Sequence, residues 1–142
     1  MTTPKLVSGF YEQIWNAGDL RAAAVLLAPD FSFRSSLGTE MRGREAFVDY
    51  VRSIRTALSD YRCDISECVA EGEQAFAKMV FSGRHVGLFR GYEPTGQLVS
   101  WLGAALFRFR GERIASLWVL GDVAALDAAL EANRSNLTKR SR

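Results

Sequence analysis

The sequence predicts an α+β domain, and three observations carry that reading. Apolar residues recur at helical spacing through much of the first sixty positions, two pairs of strand-like segments fill the second half, and a short amphipathic segment follows them. Runs of helix before runs of strand argue for an antiparallel sheet built from hairpins rather than the β-α alternation of a parallel one.

Thr3 can cap and Pro4 can occupy the first turn of a helix whose apolar residues Leu6, Val7, Phe10, Tyr11, Ile14 and Trp15 recur at helical spacing. Gly18 ends it. Asp19 caps a short second helix, LRAAAVLLA, which Pro29 stops. DFSFRSSLG alternates as a short strand. GREAFVDYVRSIRTALSD then puts Phe47, Tyr50, Val51, Ile54 and Leu58 on one helical face, and this third helix needs a sheet to lie on. YRCDISECVAEGEQAFAKMVFSGRHVG reads as two strands joined at Glu71-Gly72-Glu73, and QLVSWLGAALFRFRGERIASLWVLGD as two more joined at Gly111-Glu112. A final helix over residues 123–132 completes a single domain, 1–132.

Composition narrows the function. The chain has 142 residues, 48% of them hydrophobic, enough for one sizeable core. Its formal charge of +2 comes from residues 133–142, which hold four basic side chains and no acid; the remainder has 14 basic residues against 16 acidic. That tail reads as solvated and disordered, and a body without a basic stripe argues against nucleic-acid binding. With no apolar leader and no run long enough to span a bilayer, the expectation is a cytoplasmic protein with no membrane partner. Cys63 and Cys68 lie five apart on one strand, which sends them to opposite faces and predicts buried thiols rather than a disulfide.

The strands say more. In 99–109, Val99, Trp101, Gly103, Ala105, Phe107 and Phe109 share a face, yet the other face also carries Leu102, Ala104 and Leu106. In the last strand Trp118 and Leu120 point the same way as that second set. A sheet covered on one side only should be polar on the other, so the outer face predicts a homodimer with Trp118, Leu120, Leu102 and Leu106 in its seam. On the inner face, Gly103, Ala105, Ala115 and Gly121 either leave a pocket beneath the helices or accommodate bulky rings such as Trp15, Phe47 and Tyr50.

SGRHVGLFRGYEPTGQ, residues 82–97, holds the chain's one histidine, His85, among glycines and a Pro-Thr-Gly turn. Together with FYEQIWNAGDL, APDFSF, RGREAF and GERIASLWVLGD, it resembles the SnoaL-like polyketide cyclases of the nuclear transport factor 2-like superfamily, from about Phe10 to Leu130. The resemblance implies a cone: a strongly curved antiparallel sheet wrapped around a long helix, with an N-terminal helical hairpin, a hydrophobic cavity at the open end, and usually a dimer. It also implies catalysis on polyketide-derived rings with no metal and no organic cofactor. The glycine-flanked histidine then belongs to a turn shaping the cavity mouth. Its functional alternative is to exchange a proton or hydrogen bond with a substrate.

The family's cyclases close a ring by aldol chemistry, using an aspartate on the last strand supported by a histidine on the strand before it. The matching positions here are Val119 and Ala105, and neither can move a proton. Asp122 lies three residues on, where it caps the last helix or, after a bulge, faces the cavity. Asp49 and Asp64 face outward by periodicity. A Ser100-His85-Asp122 triad lacks a nucleophile elbow, and one histidine without an acidic cluster makes no metal site.

What remains is an apolar, aromatic cavity that folds its guest. Near-attack positioning can supply about 7 to 11 kcal/mol when orientation is very good. The expected walls are Trp15, Phe33, Phe47, Met79, Phe81, Trp101, Ala105 and Val119, with His85 and Tyr50 as the catalytic hydrogen-bonding groups. A pericyclic or aldol-type closure of a hydrophobic polyketide-like molecule suits that lining. The alternatives are a non-catalytic binder and a hydroxylase or epoxide-opening relative.

Overall fold

A computed structural model describes residues 3–140. The chain opens with α1 (Lys5–Gly9), which widens without a break into a π-helical segment (Phe10–Asn16). The wider turn, marked by the Ala17 amide donating to the Glu12 carbonyl at 2.9 Å, sends Phe10, Tyr11, Ile14 and Trp15 into the interior together. Pro4, not Thr3, is the N-terminal cap residue, and no side chain closes that end. At Gly18 the chain reverses with φ of 72°, a left-handed conformation that glycine adopts freely.

The Asp19 carboxylate accepts the Arg21 amide at 3.2 Å ahead of α2 (Ala22–Leu26). This helix ends two residues earlier than the sequence predicts, and Pro29 falls inside strand β1 (Leu27–Arg34). It is tolerated there because pairing with the neighbouring strand is interrupted between Leu27 and Ser32. A three-residue strand, β2 (Glu40–Arg42), escapes sequence reading altogether. Helix α3 (Arg44–Ala57) buries Phe47, Val51 and Ile54. Strands β3 (Leu58–Glu71), β4 (Gln74–His85), β5 (Leu98–Arg110) and β6 (Arg113–Gly121) follow, then α4 (Val123–Arg140).

The sheet order is β2-β1-β6-β5-β4-β3, antiparallel except where β1 runs parallel to β6. The sheet is curved and unclosed, and the N-terminal helices and α3 occupy its concave side. Register shifts fall at 59–62 and 65–67 in β3 and beside Arg108 in β5, and bulges of this kind bend strands. They also overturn one expectation. With the shift past Ile65, Cys63 sits opposite Phe81 and Cys68 opposite Ala77, so both thiols face the concave side despite their odd spacing. Both are free, Cys63 buried and Cys68 only half-buried.

The core is aromatic. Phe10, Phe31, Phe47 and Phe107 are fully buried, with ring centroids 5.5 Å apart for Phe10 and Phe47 and 5.3 Å for Phe31 and Phe47. Each contributes about 1.5 to 3 kcal/mol through burial. Asn16 fastens the π-helical segment to the sheet edge: its carboxamide accepts the Cys63 amide at 2.7 Å and donates to the Cys63 carbonyl at 3.1 Å. At the other end Asp122 caps α4, its carboxylate accepting the Ala125 amide at 3.1 Å, which settles that residue as a cap. The helix then continues to Arg140, eight residues past its predicted end at Ala132. No glycine or proline interrupts 133–140, and Arg134 pairs with Glu131 one turn back, so the segment expected to be disordered is helical as far as it is described.

Candidate functional site

The concave face encloses a cavity beneath the N-terminal and third helices. The π-helical segment contributes Phe10, Tyr11 and Trp15, α3 contributes Tyr50 and Ile54, and the turn after β1 contributes Ser35, Ser36 and Leu37. The sheet supplies Phe33, Tyr61, Cys63, Phe81, Trp101, Leu117 and Val119. The space between these side chains, counted out to the mouth, is about 360 Å³, but only about 20 Å³ of it can hold a water. That is room for roughly one water molecule.

The closeness has a visible cause. The ring of Phe81 leans over Gly103, and a side chain at Gly121 would come within 2.5 Å of the Ser36 carbonyl. The small residues of β5 and β6 therefore receive an aromatic ring and a turn instead of leaving a hollow. Of the residues expected at the site, Trp15, Phe33, Tyr50, Phe81, Trp101 and Val119 line the cavity. Phe47, Met79 and Ala105 do not: they are buried behind the wall, Phe47 with its ring 4.9 Å from Phe33 and 5.8 Å from Trp15.

His85 is the larger correction. It lies at the end of β4, fully buried and off the cavity wall. Its backbone closes the 86–97 turn, the His85 amide donating to Gln97 O at 2.9 Å and the Gly96 amide to His85 O at 2.8 Å. Its ring lies 3.1 Å, Nε2 to oxygen, from the Tyr92 carbonyl and packs beside Phe89. A carbonyl only accepts, so Nε2 carries the proton, leaving Nδ1 buried without a protein partner.

The polar part of the wall is richer than the sequence suggests. The Trp101 indole donates to Ser36 Oγ at 3.3 Å, and Ser35 Oγ accepts the amides of Leu37 and Thr39 at 3.2 and 3.1 Å. Burial raises the pKa of the Tyr50 hydroxyl, and bonds to Ser35 and Thr39 only partly offset that. Burial likewise pushes Tyr61 and Tyr11 well above the ordinary phenol value, with Cys63 adding to both, and pushes the Cys63 thiol up. These groups are neutral donors near neutral pH. No carboxylate lines the cavity; Asp49 and Asp64 are exposed and paired with Arg52 and Arg62. Among the described residues, no three ligating side chains converge as a metal site requires.

Sequence reasoning misses the apolar lining residues Phe10, Leu37, Ile54 and Leu117 and the polar ones Tyr11, Tyr61, Ser35, Ser36 and Cys63. Tyr11 is absorbed into an apolar helical face, Ser35 and Ser36 lie where strand alternation ends, and Tyr61 follows a bulge at Asp60, which has a φ of 52°.

A curved sheet around a helix, closed over an interior pocket, defines a protein of the nuclear transport factor 2-like class. Among solved structures it is similar to TsrD from Streptomyces laurentii, at 27% identity and a TM-score of 0.79 over 89% of this chain and 92% of that one. IdmH from Streptomyces antibioticus, described as a candidate polyketide cyclase, matches at 25% identity and 0.77 over 89% and 96%. A Catenulispora acidiphila protein with a ketosteroid isomerase-like fold matches at 22% and 0.76 over 89% and 92%, a likeness of fold. No curated protein matches the sequence. The pattern of the SnoaL-like polyketide cyclases covers residues 5–130, and the chain belongs to that family. Membership gives a cyclase or isomerase role in general terms. No helix among the described residues is long and apolar enough to cross a membrane.

Proposed function

We propose that the protein promotes ring closure of a neutral, hydrophobic polyketide-derived intermediate, without metal or organic cofactor, by folding it inside the cavity. The supporting observation is a wall of aromatic rings and neutral hydroxyl donors with no ionised side chain. In an aldol-type closure, the enol carbon of one arm bonds to a distant carbonyl carbon, the enol proton passes to that carbonyl oxygen, and later loss of one water leaves the unsaturated ring. A pericyclic closure needs no proton at all. Trp15, Phe33, Phe81, Trp101 and Val119 hold the chain bent, and the Tyr50 hydroxyl donates to a carbonyl. A guest larger than water is admitted by moving the wall.

The convex face supports a homodimer as the working state. Leu102, Trp118 and Leu120 are 56%, 44% and 50% exposed, and register pairing places Leu106 beside Trp118 and Ala104 beside Leu120. A second copy of the same face matches this contiguous apolar strip.

The test is closure of a linear 1,3,5-triketone with a phenyl end, followed by chromatography with and without protein. Turnover or a changed ratio of carbocycle to pyranone is expected, reduced at least tenfold by Trp101→Ala and severalfold by Tyr50→Phe while the circular dichroism spectrum is kept. Closure at the uncatalysed rate despite measurable binding selects a second reading, a non-catalytic carrier, which the absence of a carboxylate from the wall favours.

A further inference from the structure

Two buried side-chain polar atoms among the described residues lack a protein partner, and one of them, the Tyr11 hydroxyl, belongs to a residue on the cavity wall. Tyr11 is 2% exposed. No protein group among the described residues accepts from its hydroxyl or donates to it. Its ring packs edge-on against Phe10 at 5.0 Å and Phe107 at 5.8 Å, which hold it fixed without offering an acceptor. The neighbouring polar groups are engaged elsewhere: Asn16 on the backbone of Cys63, Tyr61 on the Cys63 thiol, Trp101 on Ser36, and Tyr50 with Ser35 and Thr39. A buried, unpaired hydroxyl is destabilising, and phenylalanine would fill the same volume without that cost. Tyr11 lies in the π-helical segment, and such widenings recur at functional sites.

We infer that the Tyr11 hydroxyl is the principal hydrogen-bond donor to the guest, received by a ketone or enol oxygen that lies against the π-helical wall. The donor is a neutral phenol held by packing, so it needs no reorientation when the oxygen gains negative charge, and it stabilises an enolate-like oxygen more than a ketone. It adds to the wall what Tyr50, already bonded, supplies only in part. The preferred guest is thus neutral and oxygen-bearing; a cationic or amine guest finds no acceptor charge.

The inference rests on the cavity being where the guest binds, and the probes separate the two. 2-Acetylnaphthalene carries a ketone, and 2-ethylnaphthalene is its counterpart without oxygen. Wild-type protein should bind both, with the bound ketone's carbonyl stretch moved to lower frequency. Tyr11→Phe should weaken the ketone about tenfold, one hydrogen bond's worth, erase the frequency shift and leave 2-ethylnaphthalene unchanged. 3-Fluorotyrosine at position 11, a stronger donor, should enlarge the shift without altering packing. Equal affinities and a carbonyl band still shifted as in wild type in Tyr11→Phe, or equal loss of both probes, overturn the role of Tyr11 while the cavity reading stands. Failure of either probe to bind wild-type protein overturns the cavity reading and this inference with it.

Discussion

The wall around Tyr11 and the turn around His85 make the same local departure from a fully paired interior, and they make it for different reasons. Each buries a polar side-chain atom that no protein group satisfies. His85 spends its other nitrogen on the Tyr92 carbonyl and its backbone on the 86–97 turn, so its chemistry is consumed in holding the strand end. Tyr11 has no such second task and stands on the cavity wall. Burial of a titratable group therefore does not mark a site; what its remaining atoms do decides.

The contrast predicts opposite phenotypes. His85→Ala should cost about 2 to 4 kcal/mol in urea unfolding, because it leaves a hole and an unpaired carbonyl. Binding of 2-ethylnaphthalene by the folded fraction should be unchanged. A stable His85→Ala variant that has lost ligand binding would break the comparison by moving His85 back into the site.

That histidine marks where sequence periodicity stops and the fold's geometry takes over. The glycine and Pro-Thr-Gly setting singled it out, and the family resemblance implied a turn at the cavity mouth; the structure gives it a turn, but off the cavity wall. Its exclusion from the cavity was not legible, since that depends on how far the curved sheet carries the end of β4 from Trp101 and Val119. The helices, the hairpins and the inward set from Val99 to Phe107 were readable because burial imposes a period on sequence. Bulges and helix widening impose none. Tyr61 took its facing from a register shift in β3, Ser35 and Ser36 lie in a turn beyond the strand period, and Tyr11 was merged with its apolar neighbours, so most of the polar wall was invisible. Gly103 and Gly121 were ambiguous for another reason: a small residue states that something comes close, and only the fold says that the visitors are Phe81 and Ser36.

Alkaline titration sharpens the comparison from the cavity side. Tyr11, Tyr61 and Cys63 all have pKa values raised by burial, so the folded protein keeps protons that the unfolded chain releases. Their contribution is complete below the ordinary thiol and phenol values and is lost as pH rises past about 8.5 for the thiol and about 10 for the phenols. Unfolding free energy should fall by about 1.4 kcal/mol per pH unit for each group titrating only in the unfolded chain. Urea titrations at pH 8 and 10.5 measure this. Tyr11→Phe should lower the slope above pH 10 by one group's share, whereas His85→Ala should leave it unchanged.

The smallest effect is the most discriminating. At neutral pH, without ligand, Tyr11→Phe removes an oxygen that no protein group bonds, leaves the packing against Phe10 and Phe107 intact, and should raise stability by up to about 1 kcal/mol. A melting temperature equal to or above wild type, with weakened ketone binding, is the signature of a residue kept for a guest at some expense to the fold. A lower melting temperature would mean that the hydroxyl has a structural partner such as a bound water, and Tyr11 would then resemble His85 after all.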